Sequence, residues 1–127
     1  MLNTNSETLC RLIQLAREFH AKEAVSIPEK PISPADDWAR QVLADHLGDT
    51  TFQEFESIIN DLEPDQQQEV VALLWLGRGD FDREEWDAAL AEAADSWNSH
   101  TARYLIAHPL LPDYLSEALD QFDINCE

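Results

Sequence analysis

Arg78 has more potential chemistry around it than any other residue. It sits in Gly77-Arg78-Gly79-Asp80-Phe81-Asp82, just ahead of Glu84, Glu85 and Trp86. It is one of only 3 bases after residue 49, a stretch that holds 18 acids. A guanidinium offers its donors in a rigid fork, so its acidic neighbours imply a paired and positioned side chain. Arg78, Asp80, Asp82 and Trp86 therefore form the candidate functional turn. Several specific chemistries fall short here. A phosphate loop needs a Lys-Ser/Thr ending after a strand, and neither is present. Asp80, Asp82 and Glu84 alternate like the start of a calcium loop. However, Glu85 replaces the glycine at its sixth position and Ala91 replaces the glutamate at its twelfth. Arg78-Gly79-Asp80 has no meaning as an adhesion signal in a reducing compartment. The plain alternative is a turn between two helices, with glycines at positive φ and Asp80 or Asp82 as a cap.

His20, His46, His100 and His108 share no metal-binding spacing, and no carboxylate pattern joins them. They read as helix-face histidines. Cys10 and Cys126 lie at opposite ends with no CxxC spacing, so neither a metal nor a redox motif is supported. The tryptophans and phenylalanines fall at core spacing rather than in a ligand cage. No nucleophile elbow is present. Catalytic residues, cofactor sites and metal sites are accordingly assigned to none.

The elements that must position Arg78 start with Val70–Leu76, the most apolar run in the chain. It is too short to cross a membrane. Pro64 suits a first helical position and Gly77 suits a C-terminal cap, so residues 64–76 read as a central helix. Its apolar residues occupy most of the circumference, so other helices must surround it. Before it, Thr4-Asn5-Ser6-Glu7 reads as a capping box for a first helix, with Leu9, Leu12, Ile13, Ala16, Phe19 and His20 on one face. Pro28, Pro31 and Pro34 make 24–34 an extended connection. A second helix uses Trp38, Val42, Leu43 and Leu47. A third, capped by Thr50 or Thr51, uses Phe52, Phe55, Ile59 and Leu62. After the turn, Trp86, Leu90, Ala93 and Trp97 share a face, and Thr101, Tyr104 and His108 continue in phase. That phase fits either one long helix kinked at Asn98-Ser99 or two helices. Pro109 ends the stretch, and Pro112 starts a last helix with Tyr114, Leu115, Ala118, Leu119 and Phe122. No segment has a period of two. The expected fold is all-α: one domain over 1–127, five to seven helices around 64–76, and loose N- and C-terminal ends.

The net charge of −18 is lopsided, at −3 over residues 1–49 and −15 over 50–127. Such a field repels nucleic-acid phosphates and anionic lipids, so direct binding to either is not expected. A partner with a basic protein surface is compatible with it. The polar N-terminus looks unlike a signal peptide, and a reducing cytoplasm is the expected location. The sequence sets no oligomeric state. Self-repulsion on so small a body is expected to raise the melting temperature in about 0.3 M salt relative to low ionic strength, where the Debye length is roughly 30 Å. Mg²⁺ at matched ionic strength is expected to add nothing. A saturable extra gain with Mg²⁺ would point to a metal site.

The hairpin around Gly77-Arg78-Gly79-Asp80-Phe81 is similar in packing to a tetratricopeptide unit, but one copy makes no array. A broader resemblance runs through Trp75-Leu76-Gly77-Arg78-Gly79-Asp80-Phe81, Glu85-Trp86, Ala102-Arg103-Tyr104-Leu105 and His108-Pro109-Leu110-Leu111-Pro112-Asp113-Tyr114-Leu115. It includes Ala16-Arg17-Glu18-Phe19 and the Cys126-Glu127 ending. Across nearly its whole length the chain resembles a family of small bacterial proteins catalogued only as a domain of unknown function. The resemblance implies a bacterial, cytoplasmic, stand-alone domain and transfers no activity or catalytic residue. The leading expectation is a non-enzymatic, acidic interaction or regulatory module. Two alternatives stand beside it: a ligand-binding protein or enzyme using Arg78 with nearby carboxylates and Trp86, and an acidic nucleic-acid mimic.

Overall fold

The computed structural model describes residues 2–22 and 48–126. The expected connection at 24–34 and the second helix built on Trp38 to Leu47 lie outside the described residues. Within them the protein is all-α. The helices are α1 (Ser6–His20), α2 (Thr50–Asp61), α3 (Pro64–Arg78), α4 (Trp86–Ser96), α5 (Thr101–Ile106) and α6 (Leu111–Asp120), with a 3₁₀ turn at Arg83–Glu85 ahead of α4.

Helix α3 is the hub, packing against α4, α5 and α6, while α1 packs on α2 and α6. Val70 through Leu76 are all buried, so the helix is enclosed on every side as its apolar circumference requires. Pro64 opens it without losing a hydrogen bond, and the Glu63 N–H donates to Gln66 Oε1 at 3.0 Å. Its end differs from the sequence reading. The left-handed cap is Gly79, at φ 94°, and both Gly79 and Asp80 donate their N–H to the Trp75 carbonyl. Gly77 lies inside the helix for a different reason: a Cβ there would fall 1.7 Å from the Tyr114 carbonyl oxygen of α6. Glycine is what lets these two backbones meet.

The caps of α1 and α2 also differ from the expected hydroxyls. Asn5 caps α1 by accepting from the Glu7 N–H at 2.7 Å. Asp49 caps α2 by accepting from the Phe52 N–H at 3.0 Å. The side-chain oxygen of Asn or Asp competes well with the hydroxyl of serine or threonine at these positions. Thr4 is buried instead, because the N-terminal arm is pinned to α3. Glu69 is 3% exposed and accepts the N–H groups of Asn3 and Thr4, each at 2.7 Å. A buried carboxylate is tolerated when N–H donors face it. Glu69→Ala would leave the Thr4 N–H buried without its acceptor and is expected to cost about 2 kcal/mol, read by urea unfolding. A change within a few tenths of that scale would show that the arm is not anchored there.

The phase ambiguity after the turn resolves into two helices. Helix α4 stops at Ser96, and Thr101 opens α5, with its hydroxyl on the Asn98 carbonyl at 3.1 Å. Trp97 leaves the helical path in an extended conformation and donates its indole N–H to Gln67 Oε1 at 2.9 Å. Gln67 also donates to the carbonyls of Ile59 and Leu62, at 3.0 and 3.1 Å, and so closes off the end of α2.

The segments expected to be loose both contact the body of the domain among the described residues. Besides the Glu69 anchor, Cys10 of α1 and Cys126 of the tail form a disulfide, with a Cα–Cα distance of 5.4 Å. They are 116 residues apart in sequence, and only the packing of α1 on α6 brings them together. The tail turns back as a helix-end cap. Asp123 takes φ 60°, and the Ile124 N–H reaches the Leu119 carbonyl at 2.9 Å.

Candidate functional site

Of the four residues in the expected turn, the structure brings two together. Arg78 Nε and Nη2 donate to the same oxygen, Asp80 Oδ2, at 3.0 and 2.6 Å. Asp82 and Trp86 are elsewhere employed. Asp82 caps the 3₁₀ turn, accepting from the Glu85 N–H at 3.1 Å while its own N–H donates to Glu85 Oε1 at 3.0 Å. Trp86 is buried against Phe122, ring centroids 5.0 Å apart, and Arg83 stacks over the other side of the cluster, 4.0 Å from the Phe122 ring centre. Trp86 thus belongs to the core, covered by the segment that follows α6, rather than to a site with Arg78.

The partners that sequence reasoning missed come from α3 and α5. The Arg78 side chain, 13% exposed, runs inward toward Tyr104. The Tyr104 hydroxyl accepts the indole N–H of Trp75 at 3.0 Å. His108 follows one turn after Tyr104, with Nδ1 2.8 Å from the Tyr104 carbonyl and ring centroids 4.8 Å apart. A carbonyl only accepts, so Nδ1 carries the proton. Phe81 closes the outer side against Trp75, centroids 6.0 Å apart. The result is a polar cluster, Asp80–Arg78–Tyr104–Trp75 with His108 behind it. Tyr104 and His108 sit at an i, i+4 spacing on one apolar face, which was the signal available in the sequence.

Burial governs the protonation states. It drives the His108 pKa down from 6.5 to about 4, helped by the positive charge of Arg78, against two backbone hydrogen bonds that favour the charged ring. Burial raises the Tyr104 hydroxyl, only partly offset by Trp75 and Arg78. For Arg78 burial works against the charge, but Asp80 and Tyr104 outweigh it, so the guanidinium is more firmly protonated than usual. At neutral pH the cluster therefore holds a charged Arg78, a neutral His108 and a neutral Tyr104. Chemically it is a guanidinium held by one carboxylate at the rim and by the Tyr104 hydroxyl on its inner side, with a neutral imidazole beyond.

That geometry predicts a structural Arg78. A lysine cannot supply two donors from one planar group. Arg78→Lys is expected to cost about 1 kcal/mol, modest because Asp80 is solvent-facing. A melting curve checks it. An unchanged melting temperature together with a lost binding activity would instead mark the turn as a ligand or partner surface.

Three of the surface clefts lie away from this cluster. One, of about 290 Å³, is lined by Arg17, Ser116, Leu119, Ile124 and Cys126 among others. A second, of about 430 Å³, lies across the disulfide between Cys10, Arg11, Gln14 and Arg17. The third is bounded by Leu2, Arg83, Phe122 and Ile124. Among the described residues no group of three or more His, Cys, Asp or Glu side chains is placed to hold a metal ion, and no helix is long and apolar enough to cross a membrane.

Fold and cluster define an acidic, all-helical domain closed around an interior guanidinium–aromatic cluster. The chain belongs to the family described as protein of unknown function (DUF3775), whose model matches residues 52–124. The matched span contains Arg78, Asp80, Tyr104 and His108, and Cys10 and Cys126 lie outside it. No curated protein and no solved structure matches the chain.

Proposed function

We propose that the protein is a non-enzymatic interaction module that engages a basic protein surface through outward-facing carboxylates. The observation that carries this reading is which groups face inward and which face out. Trp75, Tyr104 and His108, the groups able to do acid–base or binding chemistry, are 6%, 2% and 0% exposed. They serve packing, and a substrate has no access to them. The carboxylates of α4 do the reverse. Helix α4 buries Trp86, Ala89 and Ala93 and turns Asp87, Glu92 and Asp95 to solvent. Asp95 lies in the last turn, where no base accompanies it and the helix dipole opposes a negative charge. An acid held at a stability cost fits a role outside the domain.

The cytoplasm remains the place of action in this reading, and there the Cys10–Cys126 bond meets reducing thiols. The test is capture of protein from a bacterial lysate by the full chain and by a variant carrying Asp87→Asn, Glu92→Gln and Asp95→Asn. The expected result is a basic protein held by the parent, released near 1 M salt where the Debye length is about 3 Å, and not held by the variant. Capture that survives both the variant and the salt would overturn the acidic-face reading. The competing ligand-binding reading would be favoured if Arg78→Lys alone abolished retention.

A further inference from the structure

We propose that the Cys10–Cys126 bond is a reversible latch, and that its reduction frees the C-terminal tail and opens the clefts that the tail walls. The position of the bond carries this. Residues 121–126 form a wall of each of the three clefts described above: Cys126 borders two of them, on either side of the bond, and Ile124 borders the third along with one of those two. Arg17 lines both clefts that flank the disulfide. Removing the tail joins those two into one groove between α1 and α6, with Arg17 at its centre.

The bond is placed for exchange. Cys126 is exposed and Cys10 is half-buried on α1, so a thiolate reaches the Cys126 sulfur first. Attack there forms a mixed disulfide with Cys126 and expels Cys10 as a thiolate, which takes up a proton. Arg17 shares the cleft with Cys10 and favours the thiolate as leaving group, while Arg11 in the same cleft is paired with Glu54 and Glu7 adds a carboxylate at its edge. The second thiol of a dithiol reductant then displaces Cys126, which also ends as a thiol. The reductant leaves as a disulfide, and two electrons and two protons have passed to the protein. Neither cysteine belongs to the buried core, so opening the bond removes no buried side chain from it; Phe122 and Ile124 of the tail pack on its edge.

The tail is also poised to leave. Its reversal rests on Asp123 at φ 60°, a conformation that a non-glycine residue adopts at a cost. Asp123 further places a carboxylate at the C-terminal end of α6, where the dipole disfavours it. Without the covalent bond these two features favour release.

The experiment uses the full chain, oxidised and after treatment with dithiothreitol, and reads hydrogen exchange by mass spectrometry. Reduction is expected to add two hydrogens in mass. It is expected to speed exchange in the 119–126 segment by at least about tenfold, to leave the slowest amides of α3 and α5 unchanged, and to reverse on reoxidation with oxidised glutathione. Cys126→Ser is expected to reproduce the reduced pattern without reductant. A tail exchanging at the same rate in both states would overturn the latch. So would loss of protection in α3 and α5 on reduction, since the bond would then be a staple for the whole fold. Resistance of the native protein to dithiothreitol would overturn it as well.

Discussion

Gly77→Ala is expected to destabilise the protein by more than about 3 kcal/mol, enough to lower the melting temperature by roughly 10 °C. Helix propensity alone argues the other way, because alanine is better than glycine inside a helix by about 1 kcal/mol. Geometry decides between them. The new Cβ would sit 1.7 Å from the Tyr114 carbonyl oxygen and 2.5 Å from its carbon. Both are backbone atoms, so no rotamer change relieves the overlap. Helices α3 and α6 must separate, and α6 carries Leu111, Leu115, Ala118 and Leu119 into the core. Gly79→Ala is the control. Nothing lies within 4 Å of a Cβ there, and the cost comes only from φ 94°. That is about 1 kcal/mol. A Gly77→Ala protein melting at or above the parent would show that the two helices do not meet through their backbones.

Gly77 also marks how far the sequence could be read. Glycine after an apolar helix is ambiguous between a cap and a close approach, and only the position of α6 separates the two. Placing the end of the helix at Leu76 therefore missed its last two residues, Gly77 and Arg78, and its true cap at Gly79. The centre of the same helix was plain, because an unbroken apolar run from Val70 to Leu76 has one way to avoid water. Glu69 was not legible as buried, since its donors come from a segment 65 and 66 residues away. The disulfide was hidden for the same reason. Sequence distance says nothing about an α1–tail contact made by tertiary packing.

The candidate turn was half legible. Arg78 and Asp80 are two residues apart, and local charge complementarity pairs them. Trp86 was placed with them because it follows closely in sequence, but its helical face points toward Phe122. The opposite held for His108. Its phase with Trp86 and Tyr104 marked an interior face, yet only tertiary packing brings that face against Arg78. A guanidinium next to a buried imidazole makes an energetic demand that periodicity cannot reveal.

That demand gives the second large effect, a loss of stability as pH falls from 6.5 toward 4. In the unfolded chain His108 titrates near 6.5, and in the folded protein near 4. Above pH 6.5 both forms are neutral and the native state keeps its full stability. Below 6.5 the unfolded chain takes up a proton that the native interior refuses, so unfolding is favoured increasingly. Below about 4 the native ring accepts the proton too, and this contribution levels off. The difference in pKa corresponds to a loss of about 3 kcal/mol across the window. Many carboxylates titrate in the same range, and their protonation relieves the −18 self-repulsion. The effect is therefore read as a difference from His108→Asn. The Asn side-chain amide keeps a donor close to the place of Nδ1, facing the Tyr104 carbonyl, but does not titrate. The variant is expected to be less stable at pH 7, since it leaves part of the imidazole volume empty. Its urea-unfolding free energy is then expected to fall less steeply than the parent's between pH 6.5 and 4, so that the two curves converge. Parallel curves across that window would show that His108 is not held neutral by its burial beside Arg78.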